Sequence, residues 1–255
     1  MKGTIEGHVS LLIENVHILT IDENYLEFES GFIAVDGQKI VDVGDMRAGR
    51  AIYTADRVID GRGRFAIPGL INTHTHSAMV LFRGYANDLP LWEWLSEKIW
   101  PLEDELVDED IYWLSLLAMA EMIKSGTTTF SDMYMFMEET ARAVDEVGMR
   151  AALARGLQGP DENSDLRLKE NRQLWENWHG AAGARIKVMV GPHAIYTCST
   201  EYLRKCIELA YELDTGIHIH ISETEKEVRD CLDEHGKTPV AYLDELGLFS
   251  LPTLA

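Results

Sequence analysis

Two rhythms of apolar and polar positions divide the chain. Over residues 1–64, short β-type runs at 11–13, 16–20, 31–35, 40–43 and 57–60 alternate with turn signals, Asp36-Gly37 being the hairpin turn among them. This pattern predicts a small antiparallel sheet. After Pro68-Gly69, apolar strands begin to alternate with amphipathic helical stretches, the signature of a parallel sheet with crossover helices. The boundary between the two regions is expected near Arg64, which leaves 65–255 for the second.

Five strands are expected there, at 66–73, 127–132, 150–156, 186–192 and 216–221, each followed by helical sequence. The helix Asp108–Lys124 carries the clearest signals, with Asp108 read as the N-cap, an apolar face through Ile111, Leu114, Leu117 and Ala118, and Gly126 as the stop. Helices are also expected at 200–213 and 223–234, and a Trp-rich insertion at 78–101 is expected to lie over a site. The fold class is therefore α/β: a partial TIM-type (β/α)8 barrel, about five of its eight units, preceded by a small β-sheet segment. The spacing predicts a next strand at 251–255, so the chain is expected to end in mid-fold. Its fifth strand, left unpaired with apolar surface uncovered, is expected to make the chain associate or aggregate when expressed alone; the oligomeric state is left open, a homo-oligomer among the outcomes.

The candidate chemistry sits at strand ends, where barrel enzymes place their catalysis. Thr73-His74-Thr75-His76 follows the first apolar strand. Residues two apart on a strand share a face, so His74 and His76 can offer two imidazoles to one ion. Taken alone, the pair reads equally as two packed or surface histidines. In the fifth strand, His218-Ile219-His220-Ile221-Ser222-Glu223 supplies a third imidazole, His220, and a carboxylate three residues on, Glu223, suited to proton transfer. His218 lies deeper and is read as a packed, hydrogen-bonded histidine.

The nine residues Pro68-Gly69-Leu70-Ile71-Asn72-Thr73-His74-Thr75-His76 resemble the first-strand signature of the amidohydrolase superfamily. Gly191-Pro192-His193 and His220-Ile221-Ser222-Glu223-Thr224 resemble its fourth- and fifth-strand motifs. Within the superfamily the likeness is strongest to the 5'-methylthioadenosine and S-adenosylhomocysteine deaminases, with chlorohydrolases and guanine deaminases as near relatives.

The resemblance implies a barrel and an N-terminal contribution to a composite β-sandwich. It implies one divalent metal ion, zinc first and iron(II) as the alternative, held by His74, His76 and His220. Glu223 then serves as proton shuttle and His193 as a contact to the substrate or the reaction oxygen. It places Glu103 at ribose hydroxyls and Arg155 and Arg167 toward the far end of a nucleoside; Trp92, Trp94 and Trp100 could stack on a purine.

The implied reaction is hydrolytic deamination of an adenine nucleoside-type small molecule, such as S-adenosylhomocysteine or 5'-methylthioadenosine. An attacking hydroxide is made available at the ion and ammonia is released. The same likeness implies a further histidine and a metal-binding aspartate beyond Ala255, so it leaves open whether this chain alone is active. No lysine ends the fourth strand, Lys187 lying at its start, so a single ion is expected. Two other readings stand beside this one: hydrolysis at another activated ring carbon (a triazine, guanine or cytosine), and a non-catalytic scaffold on the same fold.

Composition narrows the partners. Twenty-three Lys and Arg against 43 Asp and Glu give a net charge of −20, a field that repels phosphate backbones and anionic lipid heads. A small molecule is the expected partner, with neither nucleic acid nor membrane. Three cysteines, Cys198, Cys206 and Cys231, lack the close pairing of a disulfide framework, and a reducing, cytoplasmic setting is expected. No basic-then-apolar leader is seen over 1–15, and no run approaches the roughly 18 apolar residues that span a bilayer.

Overall fold

A computed structural model describes residues 7–49 and 52–255; residues 1–6, part of the stretch read for a leader, lie outside them. The chain forms two compact units, Met1–Gly69 and Leu70–Ala255.

The first unit is a five-stranded sheet of β1 (Gly7–Leu19), β2 (Glu27–Asp36), β3 (Lys39–Asp45), β4 (Tyr53–Asp60) and β5 (Phe65–Ala66). The two short runs expected at 11–13 and 16–20 are one long strand, β1, whose register to β2 shifts on either side of Val16. Asn15 sits in the left-handed region at φ 56°. The sheet is mixed: β1 pairs antiparallel with β2 but parallel with β4 and β5, which corrects the antiparallel expectation. Alternation of apolar and polar side chains has period two in either direction, so the pattern is blind to strand polarity. Val9, Leu12, Phe32, Ala34 and Tyr53 fill its core.

The second unit is a curled half-barrel of six parallel strands in the order β11-β10-β9-β8-β7-β6. These are β6 (Leu70–Thr75), β7 (Thr127–Tyr134), β8 (Arg150–Leu157), β9 (Ile186–Pro192), β10 (Ile217–His218) and β11 (Thr253–Leu254). Helices Asp108–Lys124, Met137–Val147, Ser164–Trp178, Thr200–Glu212 and Glu225–His235 fall between successive strands, as a parallel sheet requires. Leu153, Val188 and Val190 on the middle strands are fully buried.

Helix starts follow side-chain chemistry. Ser199 Oγ accepts from Tyr202 N (3.2 Å) and Thr224 Oγ1 from Glu227 N (3.1 Å), satisfying amide donors that the helix leaves free. The N-cap of Asp108–Lys124 is Val107 rather than Asp108, and Asp110 Oδ2 accepts from Val107 N at 3.0 Å. Gly126 ends that segment at φ 88°. The fifth strand, expected unpaired, is bonded on its outer side: Ile217 N donates to Pro252 O (2.8 Å) and Ile219 N to Leu254 O (3.0 Å). None of the helices among the described residues is long and apolar enough to cross a membrane.

Candidate metal centre and surrounding cavity

The C-terminal ends of β6 and β10 bring His74, His76 and His220 together, with one ring nitrogen from each lying within 4.8 Å of the others. Ring centroids are 5.5 Å apart for His74 and His76, 5.0 Å for His74 and His220, and 5.2 Å for His76 and His220. Two of these rings have their tautomer set by the backbone. His76 Nδ1 lies 2.7 Å from Met133 O and His220 Nδ1 lies 3.0 Å from His193 O. A carbonyl only accepts, so both Nδ1 atoms carry the proton and both Nε2 atoms present lone pairs.

Those Nε2 atoms face each other at 3.3 Å. Two bare lone pairs repel at that distance, whereas nitrogens bound about 2.05 Å from one tetrahedral zinc stand about 3.3 Å apart. The donor set, three imidazoles of which two are oriented by backbone acceptors, fits a divalent transition metal. Burial, and then the neighbouring His76, lower the His220 pKa, which keeps the ring in its ligating form.

Around this cluster opens a cavity of about 1060 Å3 lined by Glu103, Arg155, Arg167, His193 and Glu223 together with the three histidines. His193 Nδ1 lies 2.9 Å from Thr197 Oγ1, and burial, reinforced by charge on His220 and His76, pushes its pKa down to about 3. It is therefore a neutral imidazole at any ordinary pH. Glu223 is exposed to the cavity; its Oε2 accepts from Tyr196 OH at 2.8 Å. The backbone turns left-handed at Ser222 (φ 59°). Buried Glu227 then accepts from both Ser222 N (3.1 Å) and Glu223 N (2.7 Å). Glu103 Oε1 accepts from Tyr134 OH at 2.5 Å; burial raises the Glu103 pKa against the opposing effect of that hydroxyl and of His76.

The two arginines are set into the cavity wall rather than free in solvent. Arg155 Nε donates to Glu170 Oε2 (2.7 Å) and its Nη1 to Gly156 O (2.6 Å). Arg167 Nη1 donates to Gln158 O (3.0 Å) and to both oxygens of Asp161 (2.7 Å each). Of the tryptophans, Trp94 and Trp100 line the cavity, while Trp92 is exposed and packs edge-on against Trp100 at 5.5 Å. His218 is buried with Nδ1 3.4 Å from Ser131 Oγ, and burial first, then His220, takes its pKa to about 3. Lys187, the second residue of β9, is exposed.

The sequence reading missed Tyr134, Tyr196 and Glu227, the residues that hold the two cavity carboxylates in place. The aromatic ending β7 was the available signal for Tyr134, and the tyrosine three residues after His193 for Tyr196.

Residues 65–253 match the model of the amidohydrolase family. The chain is 51% identical over 249 residues to the 5-methylthioadenosine/S-adenosylhomocysteine deaminase of Thermoanaerobacter pseudethanolicus, covering 97% of this chain and 57% of that protein. It is 49% identical, with the same coverages, to the protein of that name from Caldanaerobacter subterraneus subsp. tengcongensis. Among solved structures it resembles an adenosine deaminase from Xanthomonas campestris with bound zinc, at a TM-score of 0.89 and 32% identity, covering 94% of this chain and 56% of that one. The chain thus spans a little over half the length of these relatives.

Proposed function

The chain belongs to the amidohydrolase family, and from that premise we propose that it carries the imidazole part of a deaminase centre. In this reading His74, His76 and His220 hold one divalent ion, zinc by preference. The whole protein replaces the amino group of an adenine nucleoside-type small molecule, S-adenosylhomocysteine or 5'-methylthioadenosine, with oxygen from water and releases ammonia. The observation that carries it is the pair of Nε2 lone pairs held 3.3 Å apart by two backbone carbonyls. When bound, a divalent ion at that point supplies Lewis acidity and brings the pKa of water toward 7.

The chain's own residues supply the rest. Glu223, steadied by Tyr196, moves protons between water, the ring nitrogen and the departing ammonia. His193 stays neutral and is held at Nδ1 by Thr197 Oγ1, which leaves its other nitrogen to contact substrate or the new oxygen. Glu103, with one oxygen committed to Tyr134, has the other to accept from sugar hydroxyls. Arg155 and Arg167, partly neutralised by Glu170 and Asp161, offer their remaining N–H groups to the far end of the substrate. A small-molecule partner and a reducing, cytoplasmic setting complete the reading, supported by three buried free cysteines and a net charge of −20.

The experiment is metal analysis of the whole protein beside its His76→Ala and His220→Ala variants, with ammonia release from adenine nucleosides and guanine and chloride release from a chlorotriazine. One ion per chain that both variants lose, and turnover of the nucleosides, is the expected result. A wild type that purifies without a stoichiometric ion and takes none up would sink the reading in favour of a scaffold.

A further inference from the structure

The tip of β6 is gripped by β7 through consecutive residues. Thr75 Oγ1 donates to Ser131 O (2.8 Å) and His76 Nδ1 to Met133 O (2.7 Å). Between these two, Asp132 takes the backbone N–H of Ser77 on Oδ1 (3.0 Å) and its hydroxyl on Oδ2. Asp132 is fully buried and Ser77 nearly so. A carboxylate in such surroundings is costly unless its oxygens are satisfied, and here both are spent on the residue that follows a candidate ligand.

The need for this grip lies in the register. Asn72 pairs with Phe130 and Thr75 with Asp132, so β6 advances three residues while β7 advances two. An extra residue breaks the ladder and frees the strand to bend. Just beyond, the chain leaves the sheet for the 3-10 turn Ser77–Phe82, whose N-cap, His76, makes no side-chain capping bond. His76 therefore stands just past a bulge and a strand end, where ladder bonds alone do not fix it.

Resting on the metal reading above, we propose that Asp132 is a positioning residue for the ion: by anchoring Ser77 it fixes the backbone after the bulge, and so keeps His76 Nε2 opposite His220 Nε2. It does not touch the ion. It acts on affinity through the aim of one ligand, in the manner of the outer partners of metal-binding histidines.

The test titrates zinc, by competition with a chromophoric chelator, into metal-stripped whole protein, wild type, Asp132→Ala, Asp132→Asn and Ser77→Ala. Cobalt(II) visible spectra and metal-free thermal midpoints are recorded alongside. Asp132→Ala is expected to weaken binding by about 10- to 100-fold and to shift the cobalt bands. Asparagine, which still accepts from Ser77 N, is expected to bring affinity back to within about threefold of wild type. Ser77→Ala keeps the backbone bond and gives a variant for comparison if Asp132→Ala does not fold; it is expected to weaken binding by about three- to tenfold. Should the folded variants bind zinc as wild type does and differ only in thermal midpoint, Asp132 is structural and the proposal is overturned while the metal reading stands. Should wild type bind no metal, both fall together.

Discussion

Tyr196 OH and Glu223 Oε2 stand 2.8 Å apart, so the carboxylate assigned to proton transfer is held from outside its own loop by a residue on the segment that carries His193. Replacing Tyr196 with Phe removes one hydrogen bond to a charged acceptor. The expected outcome in steady-state ammonia release is a kcat lower by about 3- to 10-fold, with KM within about twofold of wild type. Glu223→Gln is expected to lower kcat by about 10²- to 10⁴-fold, and metal content should be unchanged in both.

Glu227 gives a pH dependence of known sign. Burial is the largest influence on it and raises its folded pKa above the ordinary 4.5, against the amide donors of Glu223 and Ser222. An acid with a raised folded pKa binds more protons folded than unfolded. Its contribution to stability is therefore full below about pH 4.5 and is lost as pH rises through the folded value. Denaturant melts of wild type and Glu227→Gln across pH 4–8 should show the wild type losing ground to the variant as pH climbs. Glu227→Ala, which leaves two partly buried N–H groups without an acceptor, is expected to cost about 1–3 kcal/mol at any pH.

Glu103→Gln tests the substrate class. If Glu103 accepts from sugar hydroxyls, the neutral variant should raise KM for an adenine nucleoside by about tenfold or more. A substrate without a sugar should show no such change, read as ammonia release from guanine or chloride release from a chlorotriazine.

Gly191, on β9 two residues before His193, has no space for a side chain. A Cβ there would lie 2.6 Å from Arg155 O and 2.9 Å from Ala154 Cβ. Both are fixed parts of β8, so Gly191→Ala must push β8 and β9 apart. A loss of about 1–3 kcal/mol in denaturant melts is expected.

Stripping the ion should lower the melting temperature of wild type but not of His76→Ala. Bound at a thousandfold excess over its Kd, a single ion stabilises by about 4 kcal/mol. Scanning calorimetry with and without a chelator reads the difference.

Much of this was legible in the residue pattern, for identifiable reasons. Asp108–Lys124 and Ile186–Pro192 match their expected spans because turn chemistry such as Gly126 punctuates long periodic segments. The grouping of His74, His76 and His220 was readable because imidazoles offered to one ion from strand ends need a fixed local spacing. The pairs Tyr134–Glu103, Tyr196–Glu223 and Ser77–Asp132 were not. They join residues 31, 27 and 55 positions apart, and nothing local in the chain marks such partners. Strand β10 shows a related limit: expected over 216–221, it is regular only at Ile217–His218, because the backbone leaves the ladder to aim His220 and then turns at Ser222.

His76 and His220 are 144 residues apart in the chain, a separation that would make direct closure of the loop between them slow. The sheet order removes that step. Each strand from β6 to β11 lies beside its sequence neighbour, so the ring-to-carbonyl ties that orient the two rings span only 57 residues (His76 to Met133) and 27 (His193 to His220). The imidazole cluster thus joins two distant parts of the chain through contacts between neighbouring strands, none of which closes a loop as long as 144 residues.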